Sequence, residues 1–419
     1  MRTLYMIRLI AFLMMFLPVM IFAQSFELAG ELRPRLENRH GYKTLPSSDD
    51  DPVAFISQRS RLYANYADDK VRVGFSLQDI RVWGDVPQLN ASDGNFSVHE
   101  AWGELLFSDD FSLKAGRQEI VYDDSRIFGN VGWAQQGRSH DAAILKYNRN
   151  NFRFHAGGAL NQDSEKLFRT IYTQNNYKTF QYLWANYNKD DWSLSLLFLN
   201  NGLESRNQQE LYEIKYSQTF GGRFKYDLDA VQLAVAGYLQ RGEVLLSTDL
   251  EAHYFKVDVM VPLTDKLAIA AGNEFLSGND MQNTPSGTNK AFTPLYGTNH
   301  KFNGWMDYFY VGNHTNSVGL NDQYFNVNYN SVNFSSSATT HFFNSAGNIY
   351  SISAQSPIDK YLGTETDLQL KYTFSKNTLL SAGYSRMFGT ESLEVLKGGD
   401  AEETADWFWL MITIKPKFL

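Results

Sequence analysis

The spacing of amphipathic segments is the feature that most constrains the fold of this chain. From residue 25 onward, short runs alternate apolar with polar side chains, as Phe26, Leu28 and Leu32 alternate with Glu27 and Glu31. Successive side chains of a strand point to opposite faces, so each run has one apolar and one polar face. We predict eighteen strands from these runs: 25–37, 55–67, 70–83, 97–107, 110–121, 139–149, 151–161, 179–188, 191–200, 210–226, 229–240, 249–261, 266–277, 321–330, 339–346, 364–375, 377–388 and 406–418.

The connections between these runs alternate between short and long. Short connections lie at 67–70, 108–110, 148–151, 189–190, 227–229, 262–266 and 375–377. Long connections lie at 38–54, 84–96, 122–138, 162–178, 278–320, 347–363 and 389–405. This alternation is typical of outer-membrane barrels with short periplasmic turns and long extracellular loops. A secreted β-sandwich or β-helix has no reason to keep it.

We therefore predict an all-β fold, a transmembrane antiparallel β-barrel of about 18 strands in the outer membrane of a Gram-negative cell. An even number of strands places both termini on the periplasmic side, and the 122–138 connection then lies on the extracellular side. Outer-membrane lipid surrounds such a barrel. The aromatic content of 15% and the mean hydropathy of −0.37 fit strands that are apolar on one face only.

The first residues predict export from the cytoplasm. Arg2 and Arg8 precede an apolar run over 9–22 with a small residue at its end, the pattern of a cleaved signal peptide. We therefore expect a signal peptide at 1–23 and a single barrel domain at 24–419. The absence of cysteine excludes disulfides and a lipid anchor on an N-terminal cysteine. The net charge of −8 excludes a general nucleic-acid binder.

Arginines on the first two strands indicate a charged channel. Arg59 and Arg61 share one face of the second strand, and Arg33 and Arg35 repeat this arrangement on the first. An arginine facing lipid at mid-membrane costs about 2–4 kcal/mol, so these side chains are expected in the lumen. Converging guanidiniums form a constriction that admits anions. The alternative is that such arginines only pair with luminal carboxylates such as Glu31.

The stretch over 114–140 is unusually rich in glycine, amide and guanidinium groups. Arg117 has the same parity as Leu113 and Ala115, which are expected to face lipid. Either the strand kinks at Gly116 or Arg117 lies above the hydrocarbon band. A glycine inside a strand often marks a bulge. We therefore predict a bulge at Gly116 that turns Arg117 inward.

The long 278–320 connection is too aromatic for a free loop. It contains Phe292, Tyr296, Trp305 and Tyr308. Connections longer than about 12–15 residues usually have a function or structure of their own. Its length therefore indicates a function or packing into the barrel.

Catalytic and metal-binding motifs are absent from the sequence. No nucleophile elbow, HExxH helix or phosphate-binding loop is present, and the eight histidines are scattered singly. Ser, His and Asp follow one another at 139–141, but neighbours in a strand face opposite sides and cannot form a relay. The aspartates at 49–51 and 123–124 fit solvated loops better than calcium sites. We expect no enzyme activity, no catalytic residue, no metal and no cofactor.

Five motifs resemble the alginate-export family of outer-membrane barrels. They are GRQ at 116–118, YDDxR at 122–126, NxxWxQxGRxxDA at 130–142, QRxRL at 58–62 and LYGTxHKFxGxxD at 295–307. The likeness extends over most of the chain after residue 23. Its central signature, from 116 to 142, is long enough to be specific.

This resemblance implies an arginine-lined pore through which an acidic polysaccharide leaves the cell. The resemblance implies Arg117 and Arg138, with Arg59 or Arg61, as pore residues, and Asp123, Asp124 and Asp141 as the acids that position them by charge-assisted hydrogen bonds. Arg33 and Arg126 are further candidate pore or substrate-binding residues, and Glu31 is a further candidate supporting acid. Implied partners are an anionic polysaccharide or small anionic solutes, and periplasmic export components. An uptake porin for small anionic nutrients or oligosaccharides is the alternative, ahead of an outer-membrane enzyme or an adhesin.

Overall fold

The protein folds as a closed antiparallel β-barrel. The computed structural model describes residues 24–90, 92–172, 174, 176–206, 212–244, 248–283, 287–351 and 355–419, so the expected signal peptide lies outside the described residues. Each barrel strand within these ranges pairs with its neighbour in sequence, and β1 pairs with β18 to close the ring. The strands are β1 (Ser25–His40), β2 (Val53–Ala67), β3 (Val71–Val82), β4 (Phe96–Leu106), β5 (Phe111–Gln118), β6 (His140–Arg149), β7 (Phe152–Leu160), β8 (Thr179–Lys189), β9 (Trp192–Arg206), β10 (Tyr212–Leu228), β11 (Val231–Val244), β12 (Thr248–Pro262), β13 (Leu267–Leu276), β14 (Leu320–Asn330), β15 (Phe334–Asn344), β16 (Tyr361–Ser375), β17 (Thr378–Gly389) and β18 (Ala405–Ile414).

The predicted fold class is therefore confirmed. The largest departures concern β9, which was expected to end at residue 200 and ends at Arg206, and β15, which was expected from residue 339 and begins at Phe334. The Ser335–Ser337 run lacks apolar alternation, yet it pairs in register with both β14 and β16. Serine hydroxyls can face a water-filled lumen, so a strand can include this run. Because the run contains no apolar residue, the alternation of apolar and polar side chains did not predict a strand there. In addition to the barrel strands, a short helix α1 (Glu391–Lys397) forms part of the connection between β17 and β18.

The two faces of the wall follow the alternation in the sequence. On β18, Trp407 and Trp409 are fully buried on the luminal side, whereas Phe408 and Leu410 are exposed on the outside. An outward apolar face and an inward polar or packed face are what a lipid-embedded strand requires. No helix within the described ranges is both long and apolar enough to cross a bilayer.

Two long connections fold into the barrel. The first inward segment (residues 119–139) joins β5 to β6, and the second (residues 277–319) joins β13 to β14. Buried residues of the first include Ile120 and Phe128, and those of the second include Phe292 and Met306. The 122–138 connection was expected as an extracellular loop, but its middle packs inside the barrel because its apolar side chains find partners on the luminal wall. The second segment packs inward as its aromatic content indicated.

Main-chain hydrogen bonds join the two inward segments. The amide of Gly129 donates to Tyr296 O at 2.8 Å, and the amide of Thr298 donates to Ser125 O at 2.9 Å. Around these bonds, Phe128 and Tyr296 pack against the luminal Phe180. The two segments thus form one connected body within the lumen.

A buried carboxylate on β16 anchors the second inward segment. Glu365 is fully buried, and its Oε1 accepts the amides of Trp305 at 2.5 Å and Met306 at 2.8 Å. Gly304 precedes this pair with a φ of +82°, and a Cβ added to it would lie 2.6 Å from the carboxylate carbon of Glu365. The turn can therefore sit on Glu365 only with glycine at this position.

We expect Gly304→Ala to loosen the second inward segment. The left-handed backbone costs an L-residue roughly 1–2 kcal/mol, and the added methyl group meets the Glu365 carboxylate. The variant should show a larger or noisier single-channel conductance in a planar bilayer than the parent protein. Gly94→Ala is the matched control, because a Cβ there would meet no atom within 4 Å. Equal conductance of the two variants would contradict the anchoring role.

Candidate channel constriction

A row of four arginines runs along the inner wall of β1 and β2. Arg33 and Arg35 lie on β1, and Arg59 and Arg61 on β2, with Arg33 directly opposite Arg59 in the ladder. Their relative exposures are only 4–7%. The four-arginine row therefore lies on the luminal face, as the parity of the two strands predicted.

The row holds the first inward segment by its main-chain carbonyls. Four main-chain carbonyl oxygens between residues 132 and 136 each accept a hydrogen bond from a different arginine of the row. These bonds are Arg33 Nη1 to Gly132 O at 2.8 Å, Arg35 Nη1 to Trp133 O at 2.8 Å, Arg61 Nη2 to Gln136 O at 3.0 Å and Arg59 Nη1 to Gln135 O at 3.3 Å. The segment over 132–136 therefore lies along the row and narrows the channel on this side.

One side chain of the segment also enters the row. Gln135 Oε1 accepts from Arg33 Nε at 3.1 Å and Nη2 at 2.9 Å, and Gln135 Nε2 donates to Ser57 Oγ at 3.0 Å. Apart from its place in the NxxWxQxGR motif, nothing in the sequence distinguishes Gln135 as a structural residue. An amide can serve both a guanidinium and a hydroxyl because it carries an acceptor and a donor.

Carboxylates neutralise the row only in part. Glu31 Oε1 lies 2.5 Å from Arg59 Nη2, and Glu37 binds Arg35 at 2.9 Å and Arg39 at 2.7 Å. Glu119 is 3.9 Å from Arg61. Counting Arg39, five arginines thus share three carboxylates, while the carbonyls accept hydrogen bonds without cancelling charge. The pairing that the sequence left open as an alternative therefore applies to several of these arginines.

Arg117 does not turn inward, so the predicted bulge at Gly116 is wrong. The β4–β5 ladder runs through without a shift, with Gly116 opposite Trp102 and Arg117 opposite Ala101. Arg117 therefore keeps the outward parity of its strand, and its side chain is 46% exposed. Its guanidinium donates to Asp141 at 2.9 and 2.8 Å, so Asp141 does hold Arg117 as expected, but on the outer wall.

The bulge lies instead one strand earlier. In the β3–β4 ladder Ser76 is opposite Glu100 and Leu77 is opposite Val98, which leaves His99 as the extra residue. This brings His99 to the luminal side, where it is almost fully buried. A bulge in one strand places two successive side chains on the same side.

Ser139, His99 and Glu119 meet beside this bulge. The Ser139 hydroxyl donates to the His99 carbonyl at 2.6 Å, and His99 Nε2 lies 2.8 Å from Glu119 Oε1. His140 is buried inside while Asp141 is exposed outside, so residues 139–141 form no relay, as the strand parity predicted. The contacts tie the start of β6 to β4. Among the described residues no group of three His, Asp or Glu side chains could hold a metal ion.

Arg126 and Arg138 connect the inward segments rather than facing open lumen. Arg126 Nη2 donates to Asn303 Oδ1 at 2.9 Å, and its Nε lies 2.9 Å from Glu274 Oε1 in an ion pair between two buried side chains. Arg138 Nη1 donates to Gly297 O at 2.7 Å, and burial lowers the pKa of Arg138. Both arginines therefore position the second inward segment against the first.

Asp123 and Asp124 hold neither Arg117 nor Arg138, contrary to expectation. Asp123 has a φ of +53°, and its carboxylate accepts from Trp184 Nε1 at 3.3 Å; burial raises the pKa of Asp123. Asp124 Oδ2 lies 3.5 Å from Arg223 Nε. The turn at Asp123 directs both carboxylates toward the wall formed by β8 to β10.

A closed eighteen-strand barrel whose lumen is narrowed by inward segments defines the class of outer-membrane porin-like channels. The family model described as "Alginate export" matches residues 24–398. The chain belongs to the alginate export family, and its place is the Gram-negative outer membrane. No curated protein sequence matches it significantly.

Solved outer-membrane porins share the fold at low sequence identity. Acinetobacter baumannii OccAB1 is 12% identical with a TM-score of 0.67, over 96% of this chain and 99% of that one. Pseudomonas aeruginosa OccK9 (OpdG) is 14% identical with a TM-score of 0.62, over 94% and 99%. Pseudomonas aeruginosa OpdK, solved with vanillate, is 12% identical with a TM-score of 0.61, over 94% and 99%. The family match and these structures indicate a porin or channel fold rather than the fold of an enzyme family.

We expect the two arginine–carboxylate pairs of the signature to contribute very differently to stability. Arg126→Ala leaves Glu274 buried without its cation, which costs about 3–5 kcal/mol. Arg117→Ala breaks an exposed pair, which contributes roughly 0–1 kcal/mol. Thermal loss of β-sheet circular dichroism in detergent should therefore occur at a clearly lower temperature for the first variant only. Equal melting temperatures would show that the ion pair between Arg126 and Glu274 does not stabilise the fold.

Proposed function

We propose that this protein is a channel for anionic solutes, and that its solute is an acidic polysaccharide of the alginate type leaving the cell. The observation that carries the proposal is the four-arginine row, which fixes an excess of positive charge beside the narrowed lumen. Membership of the alginate export family supports the polysaccharide. Rings of fixed arginines select for anions by replacing part of their hydration.

The spacing of the row suits a chain with many carboxylates. Arg33 and Arg35 are two residues apart on β1, as are Arg59 and Arg61 on β2, so neighbouring guanidiniums on a strand follow at roughly 7 Å. The Debye length at physiological salt is about 8 Å, so a carboxylate beside one arginine is also attracted by the next arginine on the strand. A polyanion can then exchange one weak contact for the next. Conduction requires such binding to be weak and repeated.

Uptake of small anions is the second candidate, and the inward segments favour it. They fill much of the lumen, and a narrow lumen suits a small solute better than a polymer. The solved structure of OpdK with vanillate shows a small carboxylate on a barrel of the same fold. Block of single-channel current by oligouronates, absent with vanillate and other small acids, would favour the polysaccharide.

We expect the wild-type channel to prefer anions in planar bilayers. One charge acts on an ion 10 Å away in water with roughly 0.4 kcal/mol, attracting an anion and repelling a cation by the same amount. Arg35→Gln combined with Arg61→Gln should therefore lower the anion-to-cation permeability ratio by roughly 15-fold. The reversal potential in a salt gradient measures this ratio. Arg117→Gln is the matched control, because Arg117 lies on the outer wall and should leave the ratio unchanged. A cation-selective wild type would refute the proposal.

A further inference from the structure

A cavity at the outer mouth of the channel lies beside the four-arginine row, and Arg35 is the member of that row that lines it. Its volume is about 460 Å³, and it lies between the extracellular ends of β1 to β3 and the two inward segments. We propose that it is a binding site for one or two residues of a uronate sugar. The proposal rests on the anionic solute proposed above and locates where that solute is held.

Arg39 offers a guanidinium that is already fixed in place. Its Cζ lies 4.0 Å from the ring centroid of Tyr42 and 4.8 Å from that of Phe55, and its Nε and Nη2 donate to Glu37 at 3.0 and 2.7 Å. Nη1 makes no hydrogen bond to any described residue, and Arg39 lines the cavity. A donor that is immobilised before binding loses little conformational entropy when a carboxylate arrives.

Lys43 supplies a second cation at the rim. Its side chain is exposed, its Nζ lies 4.5 Å above the ring of Tyr310, and it forms no ion pair with any described carboxylate. Its backbone is held, because the Lys43 amide donates to Met306 O at 2.9 Å. The ammonium is therefore free to bind a ligand although its attachment point is fixed.

The carboxylates in the lining are already bonded. Glu37 is taken by Arg35 and Arg39, and Asp307 accepts the Tyr42 hydroxyl. Asp85 Oδ2 accepts the amide of Val82 and the side chain of Asn95, each at 3.1 Å. Arg81, which also lines the rim, is bonded to Asp79 and Asp93. The donors to Asp85 and Asp307 are neutral, so both keep their negative charge. The four cations of the lining, Arg35, Arg39, Lys43 and Arg81, still exceed its three carboxylates by one charge. Lys43 and Arg39 are the cations of this set with hydrogen-bond donors left for a ligand.

The remaining lining and the volume suit a sugar rather than a bare anion. The lining includes the aromatic residues Tyr42 and Phe55, and the amide side chains of Gln136 and Asn299, which can bond hydroxyl groups. A volume of 460 Å³ lies toward the lower end of the roughly 300–1,000 Å³ typical of small-molecule sites. The floor reaches Arg35 of the four-arginine row, so a sugar held here is next to the constriction.

The test is block of single-channel current by a trimer of a uronic acid added to one side of an oriented channel. We expect block from the extracellular side at lower concentration than from the periplasmic side. Lys43→Gln and Arg39→Gln should each weaken extracellular block roughly tenfold, the effect of losing one charge-assisted hydrogen bond. Lys376→Gln, in the periplasmic turn between β16 and β17, is the matched control and should leave block unchanged.

An uncharged trisaccharide and inorganic phosphate, tested at the same concentration, separate sugar recognition from charge alone. Weak block by both supports the uronate site, whereas block by phosphate equal to that by the uronate trimer overturns it. Equal block from both sides, or block unaffected by Lys43→Gln and Arg39→Gln, also overturns it. If the channel remains anion-selective in that case, the proposed function stands and only the outer site is wrong.

Discussion

The main-chain hydrogen bonds of strands in a bilayer have no water to bond with instead, and the rest of this structure depends on that constraint. It requires the strands to form a closed ring, and pairing of β1 with β18 completes it. A ring of this size leaves a lumen too wide for wall side chains to fill. The inward segments therefore occupy space that the number of strands makes available.

Filling the lumen with loop backbone creates a second demand, because buried carbonyl and amide groups also need partners. Wall side chains supply them. The four-arginine row takes carbonyls of 132–136, and Glu365 takes amides of the second inward segment. The same guanidiniums that can attract an anion thus also shape the passage, which explains why charge and constriction coincide on one wall.

Much of the barrel could be predicted from the sequence because strand parity is a local property. The luminal position of Arg59 and Arg61 followed from the cost of placing them in lipid. Asp141 was expected to support pore arginines in the lumen, but it lies on the outer face, opposite in direction to its buried neighbour His140. The bulge could not be located, since Gly116 permits one while His99 forms one without any special residue type. The inward path of the first segment depends on bonds to residues near 296, far away in sequence, which no local pattern reveals.

The bonds between Gly129 and Tyr296 and between Thr298 and Ser125 have a consequence for gating. The two inward segments share backbone hydrogen bonds and aromatic contacts. Neither segment can move independently without breaking these contacts. Arg126 and Arg138 reinforce this joint from either side. The two inward segments should therefore move together between two positions. Openings in a single-channel current record should then come as whole steps rather than as a graded series.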